Sequence, residues 1–133
     1  RPKKHELISL INLHNPTILA ISETWLRPGS RLRVPGFSCL RDDRSDGYAG
    51  SAVFLRHSLP YTQIALPSHS QQINAVAVRT LDISFVSLYI PHPSSSIIPE
   101  LQAILSSLPS PIIAMGDFNT HHTMWGCHAS DGF

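Results

Sequence analysis

Residues 111–119, PIIAMGDFN, are the stretch that decides the fold. Four apolar residues between Pro111 and Gly116 predict a strand buried on both faces, as in the sheets of α/β proteins. The polar residues after it lie where open α/β sheets place their sites, at the carboxyl end of a strand. Asp117 and Asn119 face the same side if the backbone stays extended. An acid that holds a proton beside an amide that donates a hydrogen bond suits hydrolysis at phosphorus.

Turn capping is the simpler explanation for an acid and an amide after a strand, because both side chains cap turns and helix starts. A second strand end strengthens the functional interpretation. Residues 17–22 are typical of another buried strand. Glu23 lies at the carboxyl end of this strand, just as Asp117 lies at the carboxyl end of the strand that contains Met115. Two acids are therefore expected at equivalent ends of two strands.

The remaining pattern predicts one layered α/β domain, since 133 residues with 42% hydrophobic content are enough for a real core. Helical spacing of apolar residues predicts a helix over residues 4–14, and a second amphipathic helix begins at Pro99 and ends before Pro109. Surface loops are expected over much of residues 27–51. Further strands are predicted at residues 37–40, 52–55, 74–80 and 83–90. This order indicates a mixed sheet, or two packed sheets, flanked by helices.

Charge is unevenly distributed along the chain. Residues 1–56 carry nine Lys and Arg against five acids, whereas residues 57–133 carry one against four. A basic rim beside an acidic centre suits a polyanion, although solvated surface charge explains the same bias. The distant Cys39 and Cys127 favour a reducing compartment over a disulfide framework. No apolar run approaches the roughly 18 to 20 residues of a membrane span, so no membrane partner is expected.

Polar side chains at predicted strand ends make up the candidate site: Glu23, Tyr89, Asp117 and Asn119. Glu23 is the candidate ligand for a Mg²⁺ ion that keeps several waters and is completed by phosphate oxygens. Asp117 would orient or deprotonate the attacking water, while Asn119 and the Tyr89 hydroxyl would hydrogen-bond the phosphate. Packing is the ordinary role of an aromatic residue at a strand end, so Tyr89 also has a structural interpretation.

Histidines follow the candidate site and suggest other metals. His121, His122, His128 and Cys127 lack the paired spacing of a structural zinc site. A calcium loop beginning at Asp117 would have a histidine where glycine is required. The histidines are therefore expected to be loop surface or substrate contacts.

Three motifs together resemble the endonuclease/exonuclease/phosphatase superfamily, and most closely the endonuclease domain of jockey-type non-LTR retrotransposons. They are Ile21-Ser22-Glu23-Thr24-Trp25-Leu26, then Leu88-Tyr89-Ile90-Pro91, then Gly116-Asp117-Phe118-Asn119 with His121, His122 and Trp125-Gly126 following. Residues 41–44, RDDR, are similar to that family's Arg-x-Asp-Arg loop, and residues 50–53, GSAV, are similar to its glycine-led strand. The order and spacing agree along nearly the whole chain.

The resemblance implies a four-layer α/β sandwich like that of deoxyribonuclease I. It also implies metal-dependent cleavage of a DNA phosphodiester, leaving a 3′-hydroxyl that primes reverse transcription. Glu23 matches the family's metal-ligand glutamate and Tyr89 its active-site tyrosine. Asp117 matches its catalytic aspartate and Asn119 its phosphate-contacting asparagine.

Cofactor, partners and location follow from the same resemblance. The implied ion is Mg²⁺, with Mn²⁺ as the alternative. The implied partner is DNA, the reverse transcriptase region of the same polyprotein is expected to be absent from these 133 residues, and the implied compartment is the nucleus. The candidate DNA contacts are Arg41, Arg44, His121 and His122.

The resemblance also predicts a single partial domain over residues 1–133, incomplete in its N- and C-terminal strands. The family's first strand, which supplies an asparagine, would lie before Arg1, and its closing Ser-Asp-His motif beyond Phe133. These 133 residues are then expected to have little or no nuclease activity, because losing one member of a catalytic unit commonly costs orders of magnitude in rate. Two alternatives stay open: a noncatalytic DNA-binding or structural remnant, and a phosphatase or abasic-site nuclease of the same fold.

Overall fold

Two β-sheets form the centre of residues 4–131, the part of the chain that the structure, a computed structural model, describes. The first sheet is antiparallel, with strand order β1-β3-β2: β1 (Ile18–Ser22), β2 (Phe37–Asp42) and β3 (Ser51–Arg56). The second has the order β4-β5-β6-β7: β4 (Thr62–Ile64), β5 (Asn74–Thr80), β6 (Ile83–Tyr89) and β7 (Ile112–Asp117). Only β6 and β7 pair in parallel among these described strands.

Helices cover the outer faces of the two sheets. Helix α1 (Lys4–His14) places Ile11 in one apolar cluster with Phe54 of the first sheet. Helix α2 (Ile98–Ser106) places Ile104 in another cluster with Leu88 of the second. Short 3₁₀ turns precede α2 at Ser95–Ile97 and follow β7 at Thr123–Trp125. No helix between residues 4 and 131 is long and apolar enough to cross a membrane.

Alternating side chains fill the space between the sheets as well as their outer faces. The buried residues of the inner layer are Val53, Leu55, Val76 and Val78. The order from one side to the other is helix, sheet, sheet, helix. This order confirms the predicted four-layer α/β sandwich.

Predicted and observed elements differ mainly at the sheet edges. The prediction that the strand at residues 112–115 is buried on both faces is wrong, and the strand expected to be buried at residues 17–22 is only half-buried. Ile113 in β7 is 43% exposed, and every residue of β1 is only half-buried. Each strand lies at the edge of its sheet, where the opposite sheet and the covering helix reach incompletely. Strand β4 has no sequence signal, because three residues are too few to show an alternation.

Polar contacts join the sheets at the end where β1, β6 and β7 finish. Ser51 Oγ and Ser87 Oγ are 2.7 Å apart, and both residues are fully buried. Ser22 Oγ donates to Leu88 O at 3.4 Å and accepts from Asp117 N at 3.2 Å. These bonds set the position of one sheet against the other beside the residues that follow the strands.

Gly116 in β7 allows the parallel pair to close at the same end. Its φ of +145° is left-handed, and a Cβ at this position would lie 1.8 Å from Leu88 O. Leu88 is the register partner of Gly116, and Tyr89 is the partner of Asp117. The absence of a side chain at Gly116 therefore permits the close approach that places Asp117 beside Tyr89.

Candidate active site

Three of the predicted site residues meet at the carboxyl ends of their strands. Glu23 follows β1, Tyr89 ends β6 and Asp117 ends β7. Tyr89 Oη donates a hydrogen bond of 3.0 Å to Glu23 Oε1, which joins a residue of the first sheet to one of the second. Asp117 is the register partner of Tyr89 in the parallel pair. The cleft expected from the strand-end pattern is therefore built from both sheets.

The turn that carries Glu23 has an unusual backbone. Glu23 has φ +58° and Trp25 has φ +52°, both left-handed conformations that residues other than glycine rarely adopt. Trp25 N donates to Ala49 O at 2.8 Å, and Thr24 N donates to Gly50 O at 3.4 Å. Non-glycine residues held in this region cost about 1–3 kcal/mol each and cluster at active sites and ligand clamps. The turn thus aims two side chains outward from the end of β1.

Both oxygens of the Glu23 carboxylate accept a hydrogen bond. Oε1 accepts from Tyr89 Oη, and Oε2 accepts from Trp25 Nε1 at 3.3 Å. A carboxylate oxygen has two lone pairs, so each keeps one for a metal ion or water. The two donors orient the carboxylate without using up its capacity as a ligand.

A buried asparagine that sequence reasoning missed supports this turn. Asn74 is 2% exposed, and its Oδ1 accepts from Gly50 N at 3.2 Å. Its Nδ2 donates to Asp42 Oδ2 at 3.2 Å, an oxygen that also accepts from Ala75 N at 2.9 Å. Asn74 thereby ties the loop beside Glu23 to the ends of β2 and β5. The available signal is a polar residue at the start of a strand whose next four residues are apolar.

Asp117 and Asn119 do cap the turn after β7. Asn119 N donates to Asp117 Oδ1 at 2.9 Å, and Asn119 Nδ2 donates to Ile90 O at 3.1 Å. Asn119 is left-handed, with φ +47°. An amide nitrogen carries two hydrogens and a carboxylate has a second oxygen, so capping leaves both residues able to contact a phosphate or a water. The structural and the catalytic interpretations are compatible here.

Arg44 is linked to the site by contacts with two aromatic side chains. Its guanidinium donates to both oxygens of Asp46, at 2.7 and 3.2 Å, and to Gln71 O at 3.2 Å. Arg44 Cζ lies 5.2 Å from the centre of the Tyr48 ring. Tyr48 in turn meets Trp25 in an edge contact with 4.8 Å between ring centres. Arg44 is thus connected to the Glu23 turn, which the sequence spacing alone does not show.

The other candidate DNA contacts have partners within the fold. Arg41 is only 15% exposed, pairs with Asp43 at 3.0 Å and donates to Ser30 O, so the structure gives it a role in holding the loop. His121 Nδ1 lies 3.2 Å from Asp131 Oδ2. His122 Nδ1 accepts from Met124 N at the start of the final 3₁₀ turn. A DNA contact by Arg41 receives no support from this placement, and those of the two histidines stay predictions.

Tyr89 is held in its neutral form. Burial is the largest cause that raises its pKa from 10 to about 12, followed by the hydrogen bond to Glu23 and the Glu23 charge. The charge of Asp117 acts in the same direction. Tyr89 is therefore a hydrogen-bond donor across the physiological pH range.

We expect an alkaline titration to detect this shift. Because the folded pKa of Tyr89 is the raised one, its contribution to stability is complete below pH 10 and is lost as pH rises from 10 through 12. Ultraviolet absorbance of the phenolate should show one late step in the folded protein, and Tyr89→Phe should remove that step alone. A titration curve unchanged in shape by Tyr89→Phe would contradict the assignment.

The donors present fit a sparsely liganded cation. Among residues 4–131, no group of three or more His, Cys, Asp and Glu side chains is arranged to hold a metal. Mg²⁺ needs no such cage, because it keeps several waters and takes one or two carboxylates plus substrate phosphate. Glu23 and Asp117 are carboxylates of the required kind at the same cleft. The set fits Mg²⁺ better than the closed tetrahedral site of structural zinc.

Comparison with known proteins agrees with this geometry. The Endonuclease/Exonuclease/phosphatase family profile matches residues 1–132. The "RNA-directed DNA polymerase from mobile element jockey" of Drosophila funebris is 26% identical over 126 residues, which are 91% of this chain and 14% of that protein. The chain therefore spans about one-seventh of that relative's length.

Solved structures of low identity share the fold. The endonuclease domain of TRAS1, a telomere-specific non-LTR retrotransposon, superposes with a TM-score of 0.69 at 21% identity, covering 99% of this chain and 60% of that one. An AP endonuclease from Archaeoglobus fulgidus gives 0.67 at 16%, covering 90% and 53%. Both confirm the deoxyribonuclease I-like fold predicted from the sequence. Since the family profile matches nearly every residue, the chain belongs to the endonuclease/exonuclease/phosphatase family.

Proposed function

We propose that the chain forms the core of a divalent-metal-dependent DNA endonuclease that nicks target DNA for retrotransposition. The observation that carries the proposal is the hydrogen bond from Tyr89 to Glu23, which assembles one cleft from two sheets beside Asp117. Membership of the family supports hydrolysis of a phosphoester, and the jockey relative and the TRAS1 domain support a mobile-element setting. The nucleus and a linked reverse transcriptase belong to the same proposal.

Each residue has a defined part in this proposal. Glu23, with Asp117 nearby, would hold Mg²⁺ or Mn²⁺, which when bound supplies a Lewis acid for the phosphate oxygens. Asp117 orients the attacking water and accepts its proton. Tyr89, neutral at physiological pH, donates its single O–H to Glu23 in the free protein and would transfer that hydrogen bond to a non-bridging oxygen when the phosphate binds. Asn119 contributes its second amide hydrogen to the same phosphate.

Plasmid nicking tests the proposal. The 133-residue chain and a form lengthened at both ends in its reading frame are incubated with supercoiled plasmid in Mg²⁺ and in EDTA. We expect open circles from the lengthened form in Mg²⁺ only, and little or no nicking from the 133 residues. Nicking that persists in EDTA would contradict the metal requirement, and full-rate nicking by the 133 residues would contradict the expected loss of activity.

Two further arms address the alternatives. A duplex that contains one abasic site should be cut no faster than an intact duplex if the target is ordinary DNA. Faster cutting there would instead favour the abasic-site nuclease. DNA binding without cleavage by the lengthened form would favour the noncatalytic remnant.

A further inference from the structure

We propose that the exposed indole of Trp25, supported by Tyr48 and Arg44, binds an unpaired nucleobase of the DNA next to the bond that is cut. These three side chains are called the aromatic platform below. The inference rests on the proposed function and deepens it, because it names the form of DNA that the site takes.

The indole of Trp25 is exposed and yet held in place. Trp25 is 54% exposed, although tryptophan normally buries most of its large apolar surface. Its Nε1 donates to Glu23 Oε2, its backbone N donates to Ala49 O, and its ring meets Tyr48 at 4.8 Å. Its backbone is left-handed, with φ +52°. A strained, immobilised and exposed ring contributes little to the core and is suited to contact a ligand.

The side chains that support the Trp25 ring are held by several contacts. Arg44 stacks on Tyr48, and Asp46 and Gln71 fix its guanidinium. An aromatic face beside a guanidinium is the combination that single-stranded nucleic acids use, with the base on the ring and the phosphate near the cation. Asp46 offsets much of the Arg44 charge, so stacking on the rings is the main contribution of the platform to binding.

The space around Arg44 extends the platform toward the end of β6. A cavity of about 200 Å³ is lined by Arg44, Gln71, Gln72, Pro91 and His92. Pro91 and His92 follow Tyr89 by two and three residues along the chain. Glutamine amides and an imidazole offer both donors and acceptors to a base edge or a sugar. A nucleotide placed on Trp25 thus has polar partners in the cavity beside Arg44.

The geometry favours an unpaired base over a duplex. In a duplex both faces of each base are covered by its neighbours, so an indole face reaches a base only after unstacking. The hydrogen bond from Trp25 to Glu23 places the ring directly beside the candidate metal carboxylate. The site should therefore prefer DNA that is single-stranded or locally opened at the cut.

Tryptophan fluorescence in EDTA tests the platform without any cleavage. The chain has two tryptophans, so Trp125→Phe leaves Trp25 as the single reporter. We expect a short single-stranded oligonucleotide to quench Trp25, and the matched blunt duplex to do so only at higher concentration. Anisotropy of a labelled oligonucleotide should show that Trp25→Ala weakens single-strand binding by roughly tenfold, the effect of losing one stacked base. Trp25→Phe, which keeps a ring but loses the N–H, should retain most of the affinity.

Tyr61→Ala is the matched control, because Tyr61 is a partly exposed aromatic residue beside the far end of β5. It should leave the affinity unchanged. Equal affinities for Trp25→Ala and Tyr61→Ala, or no response of Trp25 to single strands, would overturn the platform. So would an equal loss for single strands and duplex. If Trp25→Ala fails to fold, the quenching of the parent protein and the affinity of Trp25→Phe still decide.

The outcome is separable from that of the proposed function. Quenching of Trp25 by single strands with no nicking in any form would leave the platform standing and remove the endonuclease. Magnesium-dependent nicking with no preference for single strands would support the endonuclease and contradict the platform.

Discussion

Replacing Gly116 with alanine is expected to destabilise the fold by about 3 kcal/mol or more, and to prevent folding if the strands cannot separate. The new Cβ would lie 1.8 Å from Leu88 O, a backbone atom that cannot turn aside. The φ of +145° adds strain for any residue with a side chain. Relief requires β7 to move away from β6, which would also separate Asp117 from Tyr89.

Chemical denaturation followed by circular dichroism measures this effect. Gly36→Ala is the matched control, because Gly36 is also left-handed, with φ +81°, but nothing lies within 4 Å of its added Cβ. That substitution should lower the free energy of unfolding by about 1 kcal/mol, the cost of a left-handed backbone conformation for alanine. Similar losses for the two variants would show that the contact with Leu88 O is not what makes glycine necessary.

Replacing Glu23 with glutamine is expected to lower magnesium-dependent nicking by at least about 100-fold, because metal stabilisation of a transition state is worth several kcal/mol. Glutamine has nearly the same shape but carries no charge, and its amide nitrogen cannot accept from Trp25 or Tyr89. Since Glu23 is solvent-exposed, the free energy of unfolding should change by less than about 1 kcal/mol. The rate is measured in the lengthened form that nicks plasmid.

Binding of Mn²⁺ to the same variant gives a second readout that does not need turnover, and it should weaken in parallel. Glu100→Gln is the control of identical chemistry. Glu100 lies on α2, where its carboxylate accepts from Ser70 N and Oγ. It should leave both nicking and Mn²⁺ binding unchanged. Undiminished nicking by Glu23→Gln would remove Glu23 from the metal site.

Local patterns predict much of this fold because they report local burial. The apolar runs of β5 and β6 reflect burial of both faces, and the helical spacing of α1 reflects the packing of one face on the first sheet. Burial at a sheet edge is different, because it depends on how far the opposite layer extends. That is why β1 and β7, apolar in sequence, are more exposed than their composition indicates.

The residues of the candidate site also differ in whether the sequence alone predicts them. Glu23, Tyr89 and Asp117 could be predicted because a strand end is a local feature, and parallel or stacked strands bring such ends together. The contacts of Asn74 and Tyr48 could not be predicted, since they join segments far apart in sequence. Arg41 stays a prediction as a DNA contact: a basic residue in a loop suggests DNA, while in the fold its guanidinium pairs with Asp43 and donates to Ser30 O.

The serine contacts between the sheets have a consequence for how the domain tolerates change. Glu23 moves with the first sheet and Asp117 with the second, so the spacing between them depends on how the layers are aligned. A slip of one residue along a strand is about 3.3 Å, comparable to the length of a hydrogen bond in the site and enough to break one. A substitution that changes side-chain volume in the inner layer can therefore misalign Glu23 and Asp117 even when it hardly changes the melting temperature. Substitutions between the two sheets should therefore impair the alignment of the site before they impair folding.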